Sequence, residues 1–442
     1  MTSSPTHWDK IRPQFDALPY PNIPLDTNPS SDPDYLTKHN FVIPYYLRNH
    51  QVVSSQEKWI LDAGCGSGYK LLALAIANPG ANIVGVDISP KSLEMAQQRL
   101  EYQRIANPQN FHCLPIEELP NLHYRFDYIN CDDVLYLLED PVIGLQAMKA
   151  VLKPDGIIRA NMHSVLQRGG FYRVQQFLTR LGCLEGAPTP DEIAVTRQMM
   201  STLQDWVISK RQTWGPRYEK EDQMVLMNHL FRGDTGITMA DFSTMLNKAD
   251  LEFISMVNWR TWDLSKLFKS IEELPMTVAI GLAEMSVEKQ LHIFELLHPV
   301  HRLLDLYCGH PGQGHQRPPL GEWDESFWQQ ATVHIHPQLN TDAFKQSLED
   351  GAANLGLIPF DKYLRLDNPA EIGIDSSFAS CLHSLLDGPK TVPTLVQRWL
   401  QVRPLNLITL EPTKPETAFQ TVRNFLTSLE QAGYVMVETP TI

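Results

Sequence analysis

Residues 60–68 have the sequence I-L-D-A-G-C-G-S-G, and residues 83–87, about twenty positions further on, have the sequence I-V-G-V-D. The apolar residues before the glycines predict a buried parallel strand, and the glycines predict a tight turn. The run at 69–77 predicts a helix whose first turn offers unpaired N–H groups to an anionic ligand group. A strand, a glycine-rich loop and a helix are therefore expected at the start of the fold.

The glycines and Asp87 predict a nucleoside-binding site. Glycine has no Cβ, so a ligand can approach the backbone closely at Gly64, Gly66 and Gly68. Asp87 ends the second strand, where a carboxylate can bind both hydroxyls of a ribose. Tyr69 stands where a dinucleotide-binding fingerprint needs a third glycine, and no G-K-[ST] follows as in a P-loop. A dinucleotide site and a P-loop are therefore both disfavoured.

This arrangement resembles the class I S-adenosylmethionine-dependent methyltransferases. The loop at 62–68 is similar to the first motif of that family, and Asp87 to its acidic ribose ligand. Residues 126–131 (F-D-Y-I-N-C) resemble its fourth strand, and residues 152–158 (L-K-P-D-G-I-I) its turn into the fifth. The resemblance covers residues 40–165 and implies S-adenosylmethionine as the cofactor. It also implies a Rossmann-like α/β fold with a doubly wound, mostly parallel, seven-stranded sheet.

The alternation of strands and helices agrees with that fold class. Helices are predicted at 90–101 and 141–151, between strands expected at 59–63, 82–87, 110–116, 126–131 and 157–162. Such alternation predicts a parallel sheet covered on both faces. Further on, Thr238 is predicted to cap a helix that leads to a strand at 251–257.

Three regions are expected along the chain. A methyltransferase domain is predicted over residues 1–260, with a helical insertion at about 166–232 that caps the cofactor cleft. Residues 261–340 are predicted to be a helical connecting region, and residues 341–442 a small winged-helix-like α+β module. The arrangement resembles cyanobacterial two-part methyltransferases. Tyr45 and Tyr46, ahead of the first strand, are candidates for a lid, or they simply pack on the domain.

The resemblance implies roles for residues around the cofactor. Asp62 would face the ammonium group of the methionine part, or alternatively cap the turn. The backbone of the glycine loop would meet the sugar and carboxylate, Asp87 the ribose, and Ile88 the adenine face. Many members have an Asp-Ala pair after the third strand, where this chain has Pro115 and Ile116.

The replacement of the Asp-Ala pair and the end of the fourth strand each suggest further cofactor contacts. Proline has no N–H, so the N–H of Ile116 and the carboxylate of Glu117 are the expected adenine contacts. Cys131, at the end of the fourth strand, is expected beside the cofactor.

Candidate catalytic residues follow the fourth and fifth strands. Asp132, or its neighbour Asp133, can orient the acceptor or accept a proton, although an acidic helix start is equally compatible with the sequence. Tyr136 can form a wall of the acceptor pocket or merely pack. His163 has the side chain best suited to a general base near neutral pH, and a structural histidine is the alternative.

Composition excludes several classes of protein. A formal net charge of −14 argues against nucleic acid as a partner, and no apolar stretch long enough to span a membrane is present. The start lacks the features of a secretory signal, and six scattered cysteines suit a reducing cytoplasm. The histidines at 298, 301, 310, 315, 334 and 336 match no zinc signature, so no metal is expected.

The expected function is methyl transfer to N or O of an acceptor. The insertion and the C-terminal region favour a protein side chain as the acceptor. One alternative is a small-molecule methyltransferase, acting on a natural product or a quinone-like acceptor. The other is a regulatory protein that binds the cofactor without catalysis. The C-terminal region is also a candidate surface for homo-oligomerisation.

Overall fold

The computed structural model describes residues 8, 12–13, 15–16, 19–183, 188–315, 318–367 and 372–439. These residues form two compact units. The first unit consists of the described residues within 1–27, 59–71 and 82–311. The second unit consists of the described residues within 28–58, 72–81 and 312–442.

The strands are, in chain order, β1 (Trp59–Ala63), β2 (Asn82–Asp87), β3 (Gln109–Cys113), β4 (Phe126–Cys131), β5 (Leu152–Ser164), β6 (Gly236–Ile237), β7 (Glu252–Met256), β8 (Leu303–Gly309), β9 (Thr332–Ile335), β10 (Leu357–Pro359), β11 (Gly373–Asp375), β12 (Lys390–Thr391) and β13 (Val435–Glu438). The first eight form the sheet of the first unit, in the order β3-β2-β1-β4-β5-β8-β7, with β6 beside β5. β8 runs antiparallel to both β5 and β7, and the other pairs are parallel.

The α-helices are α1 (Pro33–Thr37), α2 (Val42–Asn49), α3 (Tyr69–Ala77), α4 (Pro90–Tyr102), α5 (Pro141–Val151), α6 (Val165–Arg180), α7 (Pro190–Thr202), α8 (Ile208–Thr213), α9 (Pro216–Lys220), α10 (Asp222–Leu226), α11 (Met239–Lys248), α12 (Met276–Ala283), α13 (Val287–Leu297), α14 (Glu325–Gln330), α15 (Asp342–Asn354), α16 (Ala379–Leu386), α17 (Val392–Val402) and α18 (Pro415–Ala432). Within the described ranges, no helix has the length and apolar character needed to cross a bilayer.

The core of the first unit lies along the central strands. Leu61, Val84, Ile129 and Ile158 are fully buried on β1, β2, β4 and β5. Because crossover helices cover both faces, these strands are apolar along most of their length rather than alternating. The carboxyl ends of the parallel strands meet at one edge of the sheet, and the residues that follow them are therefore brought together there.

The region at 261–340 differs from the helical connection expected. It contains β8, which pairs with β5 from Ile157 opposite Gly309 to His163 opposite Leu303, and so lies inside the sheet. Four consecutive residues of β8, from Leu306, are buried. A strand buried on both faces has no alternating pattern, and a short apolar run does not distinguish it from a buried helix. The first unit accordingly ends at residue 311 rather than near 260.

The insertion at 166–232 is helical, as the sequence pattern indicates. Helices α6 to α10 lie within or close to it, between β5 and β6. Val174, Leu178, Met200 and Leu230 are among the residues of a small core of its own.

The second unit contains a three-stranded antiparallel sheet in the order β12-β9-β13, together with the pair β10 and β11. Trp328, Leu382 and Val422 belong to its core. Its winged-helix-like character stays a prediction. Tyr46, a candidate either for a lid or for packing, donates its hydroxyl hydrogen to Glu430 of the same unit, 3.0 Å away.

Candidate active site

The glycine-rich loop joins β1 to α3 in a backbone conformation that favours glycine. Gly64, Gly66 and Gly68 have φ angles of +82°, +51° and +83°. The nearest neighbours of an added Cβ would be protein atoms: Val134 Cγ2 at 2.5 Å from Gly64, the Tyr20 carbonyl oxygen at 2.1 Å from Gly66, and Ala96 Cα at 2.6 Å from Gly68. The glycines therefore make room for neighbouring segments of the chain, and Gly68 in particular is needed for packing against α4.

Asp87 is bound to the same loop. Its Oδ2 accepts a hydrogen bond from the Gly66 N–H at 2.9 Å, and its Oδ1 accepts one from the Ser89 N–H at 2.8 Å. Burial raises the pKa of the carboxyl group, while these two backbone N–H groups favour its ionised form. Each carboxylate oxygen can accept more than one hydrogen bond, so a ribose diol can still bind.

A cavity adjoins the loop and Asp87. The space within it amounts to about 690 Å³, part of which is open to solvent. Five predicted cofactor residues line it: Gly64, Gly66, Asp87, Ile88 and Ile116. Trp8, Phe15, Tyr20 and Pro21 line it as well, so residues near the N-terminus form one of its walls.

Hydrogen bonds hold this N-terminal wall to the glycine loop. The Ser67 N–H donates to the Tyr20 carbonyl at 2.9 Å, and the Ser67 hydroxyl donates to the Pro21 carbonyl at 2.6 Å. The buried guanidinium of Arg99 donates to the carbonyls of Ser67, Ile23 and Pro24. The sequence offered Tyr45 and Tyr46 as lid candidates, with simple packing as the alternative, and did not identify this N-terminal wall. The aromatic residues in an otherwise polar leader were the signal that would have located it.

Asp62 is buried at the end of β1 beside the loop. Its Oδ1 accepts a hydrogen bond from Asn130 at 2.8 Å, whereas its Oδ2 has no hydrogen-bond partner among the described residues. Burial raises its pKa to about 7. A buried carboxylate oxygen without a partner fits a cationic group of a ligand, and the ammonium group of S-adenosylmethionine supplies one.

The remaining predicted cofactor residues do not line the cavity in the described structure. Gly68 packs on α4, and Glu117 lies in a turn that begins at Ile116. Cys131 is fully buried within β4, where burial raises the pKa of its thiol. The geometry therefore favours a packing role for Cys131 over contact with a ligand.

Asp132 and Asp133, which follow β4, both line the cavity. The Asp132 carboxylate accepts a hydrogen bond from Asn161 Nδ2 at 2.6 Å and lies 3.2 Å from the Lys70 ammonium and 3.4 Å from the Arg159 guanidinium. Arg159 is itself buried and contacts Asp305 on β8. Two residues of β5, Asn161 and Arg159, thus bind the Asp132 carboxylate.

Asp133 has a left-handed backbone, with φ of +63°. Its carboxylate lies 3.2 Å from Lys70 and 3.2 Å from Arg302, and the Tyr136 hydroxyl donates to it at 3.4 Å. Burial opposes ionisation of Asp133, but the Lys70 ammonium and the Arg302 guanidinium outweigh burial and lower its pKa. Asp133 is therefore ionised at neutral pH.

Both ring nitrogens of His163 have hydrogen-bond partners within the protein, so neither is available to act as a general base. Its Nε2 lies 2.8 Å from Arg302 Nη1 and its Nδ1 lies 2.6 Å from Asp234 Oδ1. Because arginine can only donate, Nε2 accepts, and the proton is assigned to Nδ1. Burial lowers the pKa of the imidazole, so the ring is neutral. Both nitrogens are occupied, and the geometry favours the structural alternative over the predicted catalytic role.

Tyr136 is buried and stacks on His163, with ring centroids 3.9 Å apart. It does not line the cavity in the described structure, and burial raises the pKa of its phenol. Its hydroxyl is a hydrogen-bond donor to Asp133. The residues that sequence reasoning missed at this end are Lys70, Arg302 and Asp234.

Comparison with known proteins identifies the class. The sequence model of a methyltransferase domain matches residues 54–213. An uncharacterised protein of Synechococcus is 26% identical, over 74% of this chain and 75% of its own length. The ubiquinone biosynthesis O-methyltransferase of Coxiella burnetii is 36% identical over 106 residues, which are 24% of this chain and 44% of that enzyme.

Among solved structures, PKMT2 from Rickettsia typhi has a similar fold, with a TM-score of 0.58 at 16% identity over 95% of this chain and 77% of that one. Its complex with AdoHcy gives a TM-score of 0.57 at 17% identity, over 96% of this chain and 78% of that one. The chain therefore contains a methyltransferase domain and is an S-adenosylmethionine-dependent methyltransferase, with S-adenosylmethionine as its cofactor. The predicted α/β fold, enzyme class and cofactor are confirmed.

Proposed function

We propose that the enzyme methylates N or O of a protein side chain. The observation that carries this proposal is the second compact unit, which has its own core and contributes none of the described residues that line the cofactor cavity. Methyl transfer to a small diffusible acceptor needs only the cavity, whereas a macromolecular acceptor also needs a docking surface. The fold similarity to PKMT2 spans 95% of the chain and so extends beyond the matched methyltransferase domain.

In this proposal the cofactor is held by residues at the carboxyl ends of β1 and β2. Asp62 would bind its ammonium group and Asp87 its ribose, with Ile88 and Ile116 against the adenine. When bound, it supplies a methyl group on a positively charged sulfur, ready for in-line displacement. The protein contributes alignment and exclusion of water, and the N-terminal wall through Tyr20 serves the second purpose.

The charges at the other end of the cavity favour an acceptor that enters in its neutral form. The carboxylates of Asp132 and Asp133 are already matched by the cations of Lys70, Arg159 and Arg302. An additional charge would have to be desolvated there without a free counter-ion. A neutral amine, amide or hydroxyl can instead donate a hydrogen bond to a carboxylate.

A small-molecule acceptor is the second candidate. The similarity to the ubiquinone biosynthesis O-methyltransferase favours it, at 36% identity. That similarity covers 24% of the chain and 44% of that enzyme, so it leaves most of either protein unmatched.

The test is tritium transfer from methyl-labelled S-adenosylmethionine into an undialysed lysate of the source organism, separated by size. Protease-sensitive label in macromolecules supports the proposal, and label confined to small solutes would support the second candidate. If no label is transferred to either fraction although S-adenosylhomocysteine binds in calorimetry, the proposal is overturned. Asp87→Ala serves as the binding-deficient control.

Three further expectations belong to the proposal. The six scattered cysteines support a cytoplasmic location, and the net charge of −14 supports an acceptor other than nucleic acid. The second unit is the proposed surface for homo-oligomerisation, which light scattering of the full chain tests directly.

A further inference from the structure

A row of charged and polar groups connects the insertion to the acceptor end of the cavity. Arg168 Nη2 lies 2.5 Å from Asp234 Oδ2, and Asp234 Oδ1 lies 2.6 Å from His163 Nδ1. His163 Nε2 lies 2.8 Å from Arg302 Nη1, and Arg302 Nη2 lies 3.2 Å from Asp133 Oδ1. Arg168 is on α6, at the start of the insertion, and Asp133 lines the cavity.

The first three members of this row are shielded from solvent. The side chains of Arg168, Asp234 and His163 are exposed by 1% or less. Gln175 and Tyr172, both on α6, also donate to Asp234. Buried charges of this kind add little stability compared with apolar residues of similar volume, but they fix orientation. Their arrangement therefore points to a positioning role.

The residue at the end of the row is held in an unfavourable conformation. A left-handed backbone, as at Asp133 with φ of +63°, is uncommon for a residue other than glycine. The Asp133 N–H donates to Asn161 at 2.9 Å, and its carboxylate is fixed by Lys70 and Arg302. The surrounding contacts thus hold Asp133 in one orientation at the cavity.

The arginines that bind the two neighbouring aspartates differ in their exposure to solvent. Arg159, which binds Asp132, has a side chain that is 4% exposed and lies against Asp305. Arg302, which binds Asp133, has a side chain that is 45% exposed. An acceptor has to approach from solvent, so it meets Asp133 before it meets Asp132.

We propose that Asp133 is the catalytic residue that binds the acceptor, and that Arg302, His163 and Asp234 are positioning residues that act through it. Asp133 accepts a hydrogen bond from the N–H or O–H of the acceptor and so orients the lone pair that attacks the methyl carbon. The new bond to N or O forms as the carbon–sulfur bond breaks, S-adenosylhomocysteine leaves, and the acceptor proton passes through the Asp133 carboxylate to solvent. The proposal rests on the methyl transfer described above, and it applies to a protein and to a small-molecule acceptor alike.

The test uses the full chain and counts the total tritium transferred into the same undialysed lysate, whichever acceptor is labelled. Asp133→Asn should reduce transfer about 100-fold, since it weakens an interaction needed to orient the acceptor. Its affinity for S-adenosylhomocysteine in calorimetry should stay within about threefold of the wild type.

Asp234→Asn should reduce transfer about tenfold in the wild-type background and cause no further loss in the Asp133→Asn background. Arg302→Gln is the second variant, because a substitution of this half-exposed side chain is less apt to disturb folding. It should also reduce transfer about tenfold in the wild-type background and cause no further loss in the Asp133→Asn background. Asp222→Asn is the matched control, since Asp222 is a 66% exposed carboxylate of the insertion paired with Arg197, and transfer should be unchanged.

The proposal is overturned if Asp133→Asn or both positioning variants transfer methyl groups at the wild-type rate, or if the losses simply add. If the wild type labels nothing, the proposed function fails, and a crystal structure of Asp234→Asn with S-adenosylhomocysteine decides the present proposal. Loss of the left-handed conformation of Asp133 in that structure supports it, whereas an unchanged Asp133 and an unchanged contact with Arg302 overturn it.

Discussion

The two ends of the cavity are built in different ways. At the cofactor end, the glycine loop and Asp87 come from neighbouring parts of the sequence and are joined by a hydrogen bond from the Gly66 backbone N–H. At the acceptor end, Lys70, Asp133, His163, Asp234 and Arg302 come from five separate stretches of the chain. A site made from local backbone leaves a motif in the sequence, whereas a site made from distant side chains does not.

The largest effect on the free energy of unfolding is expected for a substitution in the glycine loop, which tests whether packing constrains that loop. Gly68→Ala should lower the free energy of unfolding by about 2–4 kcal/mol, because the new Cβ meets α4 and the left-handed backbone is strained. Gly182→Ala is the matched control, since its φ of +83° is the same and no atom lies within 4 Å of the added Cβ. It should cost about 1 kcal/mol in chemical denaturation. Equal losses would show that packing on α4 is unimportant.

Asp87→Ala tests the cofactor end by affinity. The substitution removes a carboxylate placed to bind ribose and frees the Gly66 N–H, so binding of S-adenosylhomocysteine should weaken by about 1–3 kcal/mol in calorimetry. Asp222→Ala, on the insertion surface, should leave the affinity unchanged. An Asp87→Ala variant that binds as tightly as the wild type would contradict the ribose assignment.

The pH dependence of S-adenosylhomocysteine affinity distinguishes Asp62 at the cofactor end of the cavity from Asp133 at the acceptor end. Asp62, with a pKa of about 7, binds an ammonium group only when ionised. Affinity for S-adenosylhomocysteine should therefore fall about tenfold as the pH drops from 8 to 6, and Asp62→Asn should abolish this dependence. Asp133, whose pKa is lowered, stays ionised over the same range and contributes nothing to it. An affinity that does not change with pH in the wild type would remove Asp62 from the site.

The same shift has a consequence for stability. The folded protein holds the Asp62 proton more tightly than the unfolded chain, whose pKa is near 3.8. The resulting stabilisation is fully present below that value and is lost as the pH rises to about 7. In the absence of cofactor, Asp62→Asn should therefore raise the melting temperature most at pH 8.

The smallest effect is expected away from both ends. The Thr238 hydroxyl caps α11 and the Asp241 carboxylate accepts from the Thr238 N–H, so Thr238→Ala should cost about 1 kcal/mol in denaturation. Binding of S-adenosylhomocysteine should be unaffected. A change in affinity would show that the helix is coupled to the cavity.

The accuracy of sequence reasoning differs between local and distant features. The strand, loop and helix around Gly64, the parallel strands and the Thr238 cap follow from short patterns, and the structure contains them. The strand at 303–309 was missed because a fully buried strand lacks alternation. The sequence left His163 open between a general base and a structural histidine, because its partners lie 71 and 139 residues away and cannot be inferred from its neighbours in the chain.

The position of β8 has a consequence for synthesis on the ribosome. β5 is complete at residue 164, but the strand that covers its free edge is not translated until residue 309. The nascent protein therefore carries an unpaired apolar strand edge while some 140 further residues emerge, a state prone to aggregation. Recombinant fragments that stop at residue 213, where the matched domain ends, retain that open edge permanently and should be recovered from inclusion bodies.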